Sequence, residues 1–200
     1  VGPKMPDLVK LAEEIAGTNK QLIVHCWRGG MRSESMAWLF NRIGMNTYVL
    51  EGGYKNYRGY CRRQLENPIP LLILGGYTGS GKTELLHAIM NKGEQVLDLE
   101  RLANHKGSVF GGLEGIHQYH NEHFQNLLFE KWLKFDPNKP VWIEDESKMI
   151  GSNCLPDELF HKMRSAPVIK IKLNKDLRIK RLIKEYSQFD DFLLKKAIDK

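Results

Sequence analysis

Eight consecutive residues, Gly76-Tyr77-Thr78-Gly79-Ser80-Gly81-Lys82-Thr83, fit the pattern G-x-x-x-x-G-K-[ST] and constrain the chain more than any other stretch of it. A loop of this kind folds its N–H groups inward around an anion, and it works only between a buried strand and a helix N-terminus. Both flanks are present. Leu71-Leu72-Ile73-Leu74 is a short apolar run, and Leu85, Leu86, Ile89 and Met90 recur at helical spacing behind the loop. Gly76, Gly79, Ser80 and Gly81 are the expected backbone cradle for phosphates. Lys82 reaches the terminal phosphate, and the Thr83 hydroxyl is placed to hold Mg²⁺. The pattern specifies a diphosphate with its metal and is silent about the group attached to it.

An acid at the end of a second strand completes such a metal site. Val141-Trp142-Ile143 runs into Glu144-Asp145-Glu146, at the carboxyl end of a strand, where ligand sites of open parallel sheets lie. Successive side chains on a strand point to opposite faces, so only one or two of the three acids face the loop. Glu144 and Asp145 are expected to join Thr83 around Mg²⁺, with Glu144 also catalytic. Asp98 and Glu100, at the end of a strand over Val96–Leu99, are secondary candidates. A strand over Val168–Leu173, a helix holding Phe124, Leu127, Leu128 and Trp132, and a last helix from Asp190 to Lys200 complete this part. Alternating strands and helices predict an α/β domain of the P-loop NTPase type with a parallel sheet.

A second anion cradle precedes it. Leu22-Ile23-Val24 leads into His25-Cys26-Trp27-Arg28-Gly29-Gly30-Met31-Arg32-Ser33, and a helix with Met36, Leu39, Phe40 and Ile43 on one face follows from Ser33. This arrangement predicts a thiolate at Cys26 on the floor of the loop. Gly29, Gly30 and Ser33 line the cradle, Arg28 and Arg32 close it, and the helix N-terminus and Arg32 lower the thiol pKa. The spacing H-C-x-x-G-x-x-R-[ST] also matches cysteine-dependent phosphatases, but Asp7 is the only aspartate upstream that offers a general acid, and it sits in a helix. A strand over Thr47–Leu50 followed by Glu51-Gly52-Gly53 looks like the closing segment of a rhodanese domain, whose members carry a persulfide in the same kind of loop. Asn67-Pro68-Ile69-Pro70 interrupts any continuing helix. The expected organisation is a partial rhodanese-like domain over 1–66, a linker over 67–70 and a P-loop domain with a basic C-terminal region over 71–200. About 65 residues with two strands bury little core, so a segment before Val1, or a separate chain, is expected to complete the first domain.

Composition narrows the class. Of the 200 residues 42% are hydrophobic and 27% charged, as in ordinary globular domains. No apolar run approaches the ~20 residues of a membrane-spanning helix. Three cysteines do not make a disulfide framework, and with no signal peptide at the start the expected compartment is the cytoplasm. The net charge of +6 divides unevenly: +4 over 1–66, −4 over 67–163 and +6 over 164–200. Basic segments flanking an acidic one suit an extended polyanion such as RNA, and suit equally a solvated lysine-rich surface. Tyr57, Arg58, Arg62 and Arg63, on a helix running to about Leu65, and Arg178 and Arg181 in the tail are the candidate RNA contacts. A half-exposed packing helix and a lid over the phosphates are the competing readings of these two groups. His117, His120 and His123 swing around a helix axis at their spacing and make a poor metal site.

The two loops on one chain resemble the tRNA 2-selenouridine synthase family. The matching stretches are Cys26 to Gly30 with Arg32-Ser33, Glu51 to Lys55 through Arg58, the P-loop, Asp98 to Ser108, and Trp142 to Ser147 through Gly151. The resemblance implies replacement of sulfur by selenium in the 2-thiouridine at the tRNA wobble position. It implies S-geranylation from geranyl diphosphate first, then displacement of the alkylthio group by selenophosphate. On that basis the Cys26 loop is expected to cradle selenophosphate, or a selenium bound to Cys26. The P-loop is expected to hold geranyl diphosphate, with Lys82 and Mg²⁺ stabilising the leaving group. The implied partners are the thiolated tRNA and a supply of selenophosphate. Two rivals remain at this stage: a phosphatase-like cradle fused to a kinase-like domain, and a non-catalytic RNA-binding module that senses a nucleotide.

Overall fold

The computed structural model describes residues 2–107, 117–187, 189, 190, 192, 194 and 195. The chain divides into two compact units, Val1–Arg63 and Gln64–Lys200. The expected Asp190–Lys200 helix lies mostly outside the described residues, as does Ser108.

The first unit is a small two-stranded parallel sheet with helices. Its elements are α1 (Met5–Ala16), β1 (Gln21–Val24), α2 (Met31–Arg42), β2 (Asn46–Val49) and α3 (Gly53–Glu66), the last extending into the second unit. β1 and β2 pair from Gln21↔Asn46 to Val24↔Val49. Alternation along β1 sends Leu22 and Val24 inward, to a core of Ala12, Phe40 and Met45 joined by Val9, Met36 and Leu39. It sends Ile23 outward, 71% exposed. α2 starts at Met31 rather than Ser33, because Gly30 serves as its N-cap.

The backbone of α3's first turn crosses the Cys26 loop at contact distance. Tyr54 N–H donates to Cys26 O (2.9 Å) and Lys55 N–H to Trp27 O (2.9 Å). At the crossing Gly53 has φ +65°, and a Cβ there would overlap Cys26 O, Gly29 N and the Arg28 carbonyl carbon (2.8 Å for the last). Only glycine allows both the left-handed φ and the approach.

The second unit holds a four-stranded parallel sheet in the order β4-β5-β3-β8, formed by β3 (Leu71–Gly76), β4 (Gln95–Leu97), β5 (Val141–Glu144) and β8 (Val168–Ile171). Its helices are α4 (Lys82–Asn91), α5 (Leu99–Ala103), α6 (Asn121–Trp132), α7 (Asp157–Ser165) and α8 (Lys175–Tyr186), with a hairpin of β6 (Met149–Ile150) and β7 (Asn153–Cys154). Residues on both faces of the central strands are buried, as parallel strands require. Ile73, Leu74, Leu97, Val141 and Ile143 are inaccessible, and so are Phe124 and Leu128 of α6. Trp132 at the end of α6 is also buried, its indole N–H donating to Gln64 O (3.0 Å).

Three boundaries differ from the sequence reading, two of them because a capping side chain decides. β4 ends at Leu97, not Leu99, since the Asp98 side chain accepts from Arg101 N–H (2.9 Å) and caps α5. β8 ends at Ile171, not Leu173, ahead of α8, whose N-cap Asn174 accepts from Asp176 N–H (2.9 Å). α6 begins at Asn121, so of the three histidines only His123 is helical.

Gly53→Ala is expected to cost ~1–3 kcal/mol, the scale of a non-glycine residue forced into a left-handed position, with backbone overlap added. Urea unfolding followed by circular dichroism measures this. An unchanged midpoint would mean that the crossing yields without cost.

Candidate functional site

The first site is built on the β1–α2 connection. Cys26 is half-buried, and Ser33, in the first turn of α2, is 2% exposed. Ser33 Oγ lies 3.5 Å from Cys26 Sγ, donates to Gly30 O (2.9 Å) and accepts from Gly30 N–H (3.3 Å). The serine thus ties the thiol to both sides of the glycine turn. The Cys26 thiol pKa is lowered, first by the Ser33 hydroxyl and then by the backbone N–H groups of Arg28, Ser33 and Gly29, against the opposing effect of burial. Arg28 and Arg32 are exposed, and neither guanidinium contributes to the lowering. The hydroxyl and the amides do the work assigned to Arg32 in the sequence. The other thiols differ: burial raises Cys61, and Cys154 donates to Leu155 O.

Aromatic rings gather beside the thiol loop. Tyr54 lies 5.7 Å from both His25 and Trp27 and 6.1 Å from Tyr57, with the Arg58 guanidinium 6.0 Å from its ring. Tyr57 and Arg58 are half-buried in this stack, whereas Arg62 and Arg63 are exposed.

The second site opens at the carboxyl ends of the parallel strands as a cleft of about 950 Å³. β3 delivers the P-loop, and α4 starts at Lys82 behind the left-handed Gly81. Lys82 Nζ donates to Gly76 O (3.2 Å), folded back over the loop. The β3–β5 register sets Leu74 opposite Glu144. Glu144 is 1% exposed, and neither of its carboxylate oxygens has a hydrogen-bond partner among the described residues. Glu100 accepts from Thr83 Oγ1 (3.2 Å) and from Gly107 N–H. One oxygen each from Glu100, Glu144 and Glu146 lie within 4.8 Å of one another. Three carboxylates converging beside the P-loop threonine suit a hard divalent cation.

Asp145 does not join them. It pairs with Arg164 (2.7 Å), and Glu146 takes the place expected of it. Residues 144 and 146 share a side by the two-residue period, the signal that favours this pair over 144 with 145. Burial, followed by the charge of Glu100, pushes Glu144 up to about 8. The same two causes push Glu146 up to about 7, and Lys82 opposes both.

Arg178 and Arg181 of α8 turn onto the P-loop. Arg178 lies 4.9 Å from the Tyr77 ring centre and reaches Thr78 O (3.5 Å), while Arg181 pairs with Glu84 and borders the cleft. At Gly79 (φ +77°) a Cβ would come within 2.9 Å of Arg178 O, so the loop glycine admits the helix. Both arginines of the basic tail thus lie against the P-loop or the first turn of α4.

Two features escaped the sequence reading. His87 follows Thr83 by four residues on α4, a spacing that puts them on one face, and its Nε2 meets Asp98 Oδ2 at 2.8 Å. Gln118 places its amide nitrogen within hydrogen-bond distance of Ala103 O (3.0 Å), Ile150 O (3.1 Å) and Asn153 Oδ1 (3.0 Å), tying α5 to the hairpin. No local pattern marks Gln118, since all its partners are distant in sequence.

These sites define a rhodanese-like thiol cradle followed in sequence by a P-loop domain. Residues 2–60 match the Rhodanese-like domain family, and residues 69–196 match the family described as tRNA 2-selenouridine synthase AAA domain. Proteins named tRNA 2-selenouridine synthase are 36% identical over 170 residues in Nitrosomonas europaea, 34% over 191 in Pseudomonas fluorescens and 37% over 188 in Bdellovibrio bacteriovorus. The matches cover 82%, 92% and 90% of this chain and 44%, 51% and 47% of those proteins. The chain belongs to the tRNA 2-selenouridine synthase family. It spans about half the length of these relatives. Among solved structures, a sugar kinase from Janibacter sp. HTCC2649 is 16% identical over 66% of this chain and 77% of its own, at a TM-score of 0.31, too loose to bear on function.

Two measurements test the sites. Ser33→Ala is expected to raise the Cys26 thiol pKa and slow its alkylation by iodoacetamide near neutral pH, with Cys61 unreactive in the folded protein. Equal rates before and after the substitution would remove Ser33 from thiol activation. Glu144 and Glu146 hold protons in the folded state well above their ordinary value of 4.5. The stability they contribute is complete below that value and is lost as pH rises through about 7 and about 8. In calorimetry without divalent cations, Tm should therefore fall from mildly acid to mildly alkaline pH. Added Mg²⁺ should restore it, and Glu144→Gln should flatten the slope.

Proposed function

We propose that this chain carries both donor sites of a tRNA-modifying transferase that replaces the 2-thio sulfur of wobble uridine with selenium. The observation that carries the reading is the pairing, on one chain of this family, of two anion sites with different chemistry. One presents a thiol with a lowered pKa among backbone amides; the other presents a P-loop facing three carboxylates.

The P-loop is read as the site of geranyl diphosphate. The amides of Gly79, Ser80 and Gly81 and the helix N-terminus at Lys82 bind the diphosphate, and Lys82 swings from Gly76 O onto it. The donor set of Glu100, Glu144 and Glu146, with Thr83, fits Mg²⁺, because the buried Glu144 carboxylate otherwise lacks any partner among the described residues. Bound there, the ion supplies charge neutralisation for the leaving diphosphate. The 2-thio sulfur forms its bond to C1 of the geranyl group as the C1–O bond breaks. Arg178 and Arg181 cover the phosphates from α8.

The Cys26 loop is read as the selenophosphate cradle, its amides facing the phosphoryl oxygens. Selenium forms the bond to C2 of the base as the alkylated sulfur departs with its geranyl group, and water then cleaves the P–Se bond to release phosphate. Tyr57 and Arg58, with exposed Arg62 and Arg63, supply a stacking and cationic surface for tRNA. The compartment that suits these substrates is the cytoplasm.

The test incubates the protein with 2-thiouridine tRNA, geranyl diphosphate and Mg²⁺, with and without selenophosphate, followed by nucleoside mass spectrometry. Geranylated nucleoside alone, converting to selenouridine on adding selenophosphate, is the expected result. Cys26→Ala should abolish selenation and spare geranylation, while Lys82→Ala should reduce geranylation by ~10²-fold or more, the scale of losing one preorganised charge at a leaving group. Loss of both steps in Cys26→Ala would refute a role for Cys26 confined to selenium delivery. No modified nucleoside from folded, tRNA-binding protein would refute the reading.

A further inference from the structure

One pair of side chains in the P-loop cleft has no part in the chemistry above. His87 and Asp98 both line the cleft, joined by a 2.8 Å contact between Nε2 and Oδ2. The carboxylate is shielded, with 11% of the Asp98 side chain exposed, whereas the imidazole is 45% exposed. Asp98 is fixed at both ends, since its Oδ1 accepts from Arg101 N–H (2.9 Å) as the cap of α5. A carboxylate held this way orients the imidazole and selects its tautomer: Nε2 carries the proton toward Asp98, and Nδ1 keeps a lone pair. His87 stands one helical turn beyond Thr83 on the same face of α4, so a group extending from a diphosphate on the P-loop along this wall passes it.

Alkylation of a thiocarbonyl sulfur requires exactly such a group's help in one respect: the adjacent N3–H must lose its proton, or the product carries a positive charge. The cleft carboxylates are poorly placed for that task. Glu100 is bound to Thr83 and Gly107, Glu146 is turned into the carboxylate cluster with Glu144, Asp145 pairs with Arg164 and Glu84 pairs with Arg181. Resting on the function proposed above, we propose that His87, oriented by Asp98, is the general base of the alkyl transfer at the P-loop. Its Nδ1 takes the N3 proton of 2-thiouridine, the N3–H electron pair becomes the N3=C2 bond, and the C2=S π bond breaks toward sulfur as a sulfur pair forms the S–C1 bond. The C1–O bond breaks, and its electrons leave with diphosphate. His87 is then a catalytic residue and Asp98 a positioning residue. The charged and titratable groups that line the cleft with His87 are Lys82 and Glu84 on α4, Asp98, Glu100, Arg101, His105 and Lys106 on and after α5, Asp145 and Glu146 after β5, and Arg181, Lys184, Glu185 and Tyr186 on α8.

The experiment measures geranylation of 2-thiouridine tRNA, without selenophosphate, by wild type, His87→Asn, His87→Gln and Asp98→Asn from neutral to alkaline pH, together with geranyl diphosphate binding. The His87 variants should lose ~10²–10⁴-fold in kcat at neutral pH, the range of general-base catalysis, while binding geranyl diphosphate as wild type does. Their deficit should shrink about tenfold per pH unit toward the pH at which N3–H ionises unaided. Asp98→Asn, which retains a capping side chain, should show a smaller loss with the same alkaline recovery. Near-wild-type kcat in both His87 variants would overturn the assignment. So would a loss that alkaline pH does not relieve, or one that follows weakened diphosphate binding, since either marks a structural role. A wild-type protein that forms no geranylated nucleoside at any pH would bring down the underlying reading, and the assignment with it.

Discussion

The parallel pairing of β3 with β5 is the constraint on which the second unit depends. A single register, Leu71↔Val141 to Leu74↔Glu144, sets the acid that ends β5 beside Leu74, two residues before the P-loop begins. One residue of slip would turn every side chain of β5 to the opposite face. It would exchange buried Ile143 for half-buried Trp142 and take Glu144 out of the carboxylate cluster. The apolar burial on both faces of β3 and β5 therefore specifies the convergence of the carboxylates as much as it stabilises the sheet.

The first unit solves a related problem with far less core. Its buried apolar side chains are few, and one face of β1 is left open at Ile23. Rigidity of the thiol loop comes instead from backbone contact. The Gly29 and Gly53 peptides cross with no room for a methyl group, and the first amides of α3 close onto the carbonyls of Cys26 and Trp27. Ser33 then bridges the turn from inside. Hydrogen bonds among main-chain groups hold a loop in one shape without a large hydrophobic core, provided the donors and acceptors are satisfied locally.

Much of this was legible in the residues themselves. The strand–loop–helix context of Gly76–Thr83 and the glycines around Cys26 are local patterns with one physical solution each, and the structure folds both as cradles. The shortfall lies where partners are distant in sequence. The two-residue period favours Glu146 as the partner of Glu144, but three consecutive acids leave the choice open until Arg164, nineteen positions on, captures Asp145. For the lowered Cys26 thiol pKa the sequence points to the helix N-terminus and Arg32; the Ser33 hydroxyl at 3.5 Å and amides that include Ser33's, in the first turn of α2, supply it, and the exposed Arg32 does not. Asp98 was read as the end of a strand because an aspartate after three apolar residues fits that pattern as well as it fits a helix cap. His87, a lone histidine on an amphipathic helix, gains meaning only once α5 sets Asp98 against it.

Both sites handle anions with main-chain amides but differ in what they place at the centre. In the Cys26 loop the amides surround a sulfur whose own negative charge they favour, so an incoming anion competes with the thiolate for the same donors. That competition suits a site that receives a small anion and passes its atoms on. In the P-loop the amides face three carboxylates, and burial first, then the charge of Glu100, favours protons on Glu144 and Glu146. A diphosphate therefore enters that cleft at low energy only if a cation enters with it, or if the carboxylates stay protonated. The same burial that raises their pKa thus makes anion binding conditional on positive charge. It ties an anion at the P-loop to a compensating positive charge more tightly than an exposed acid would, because water cannot screen the repulsion there.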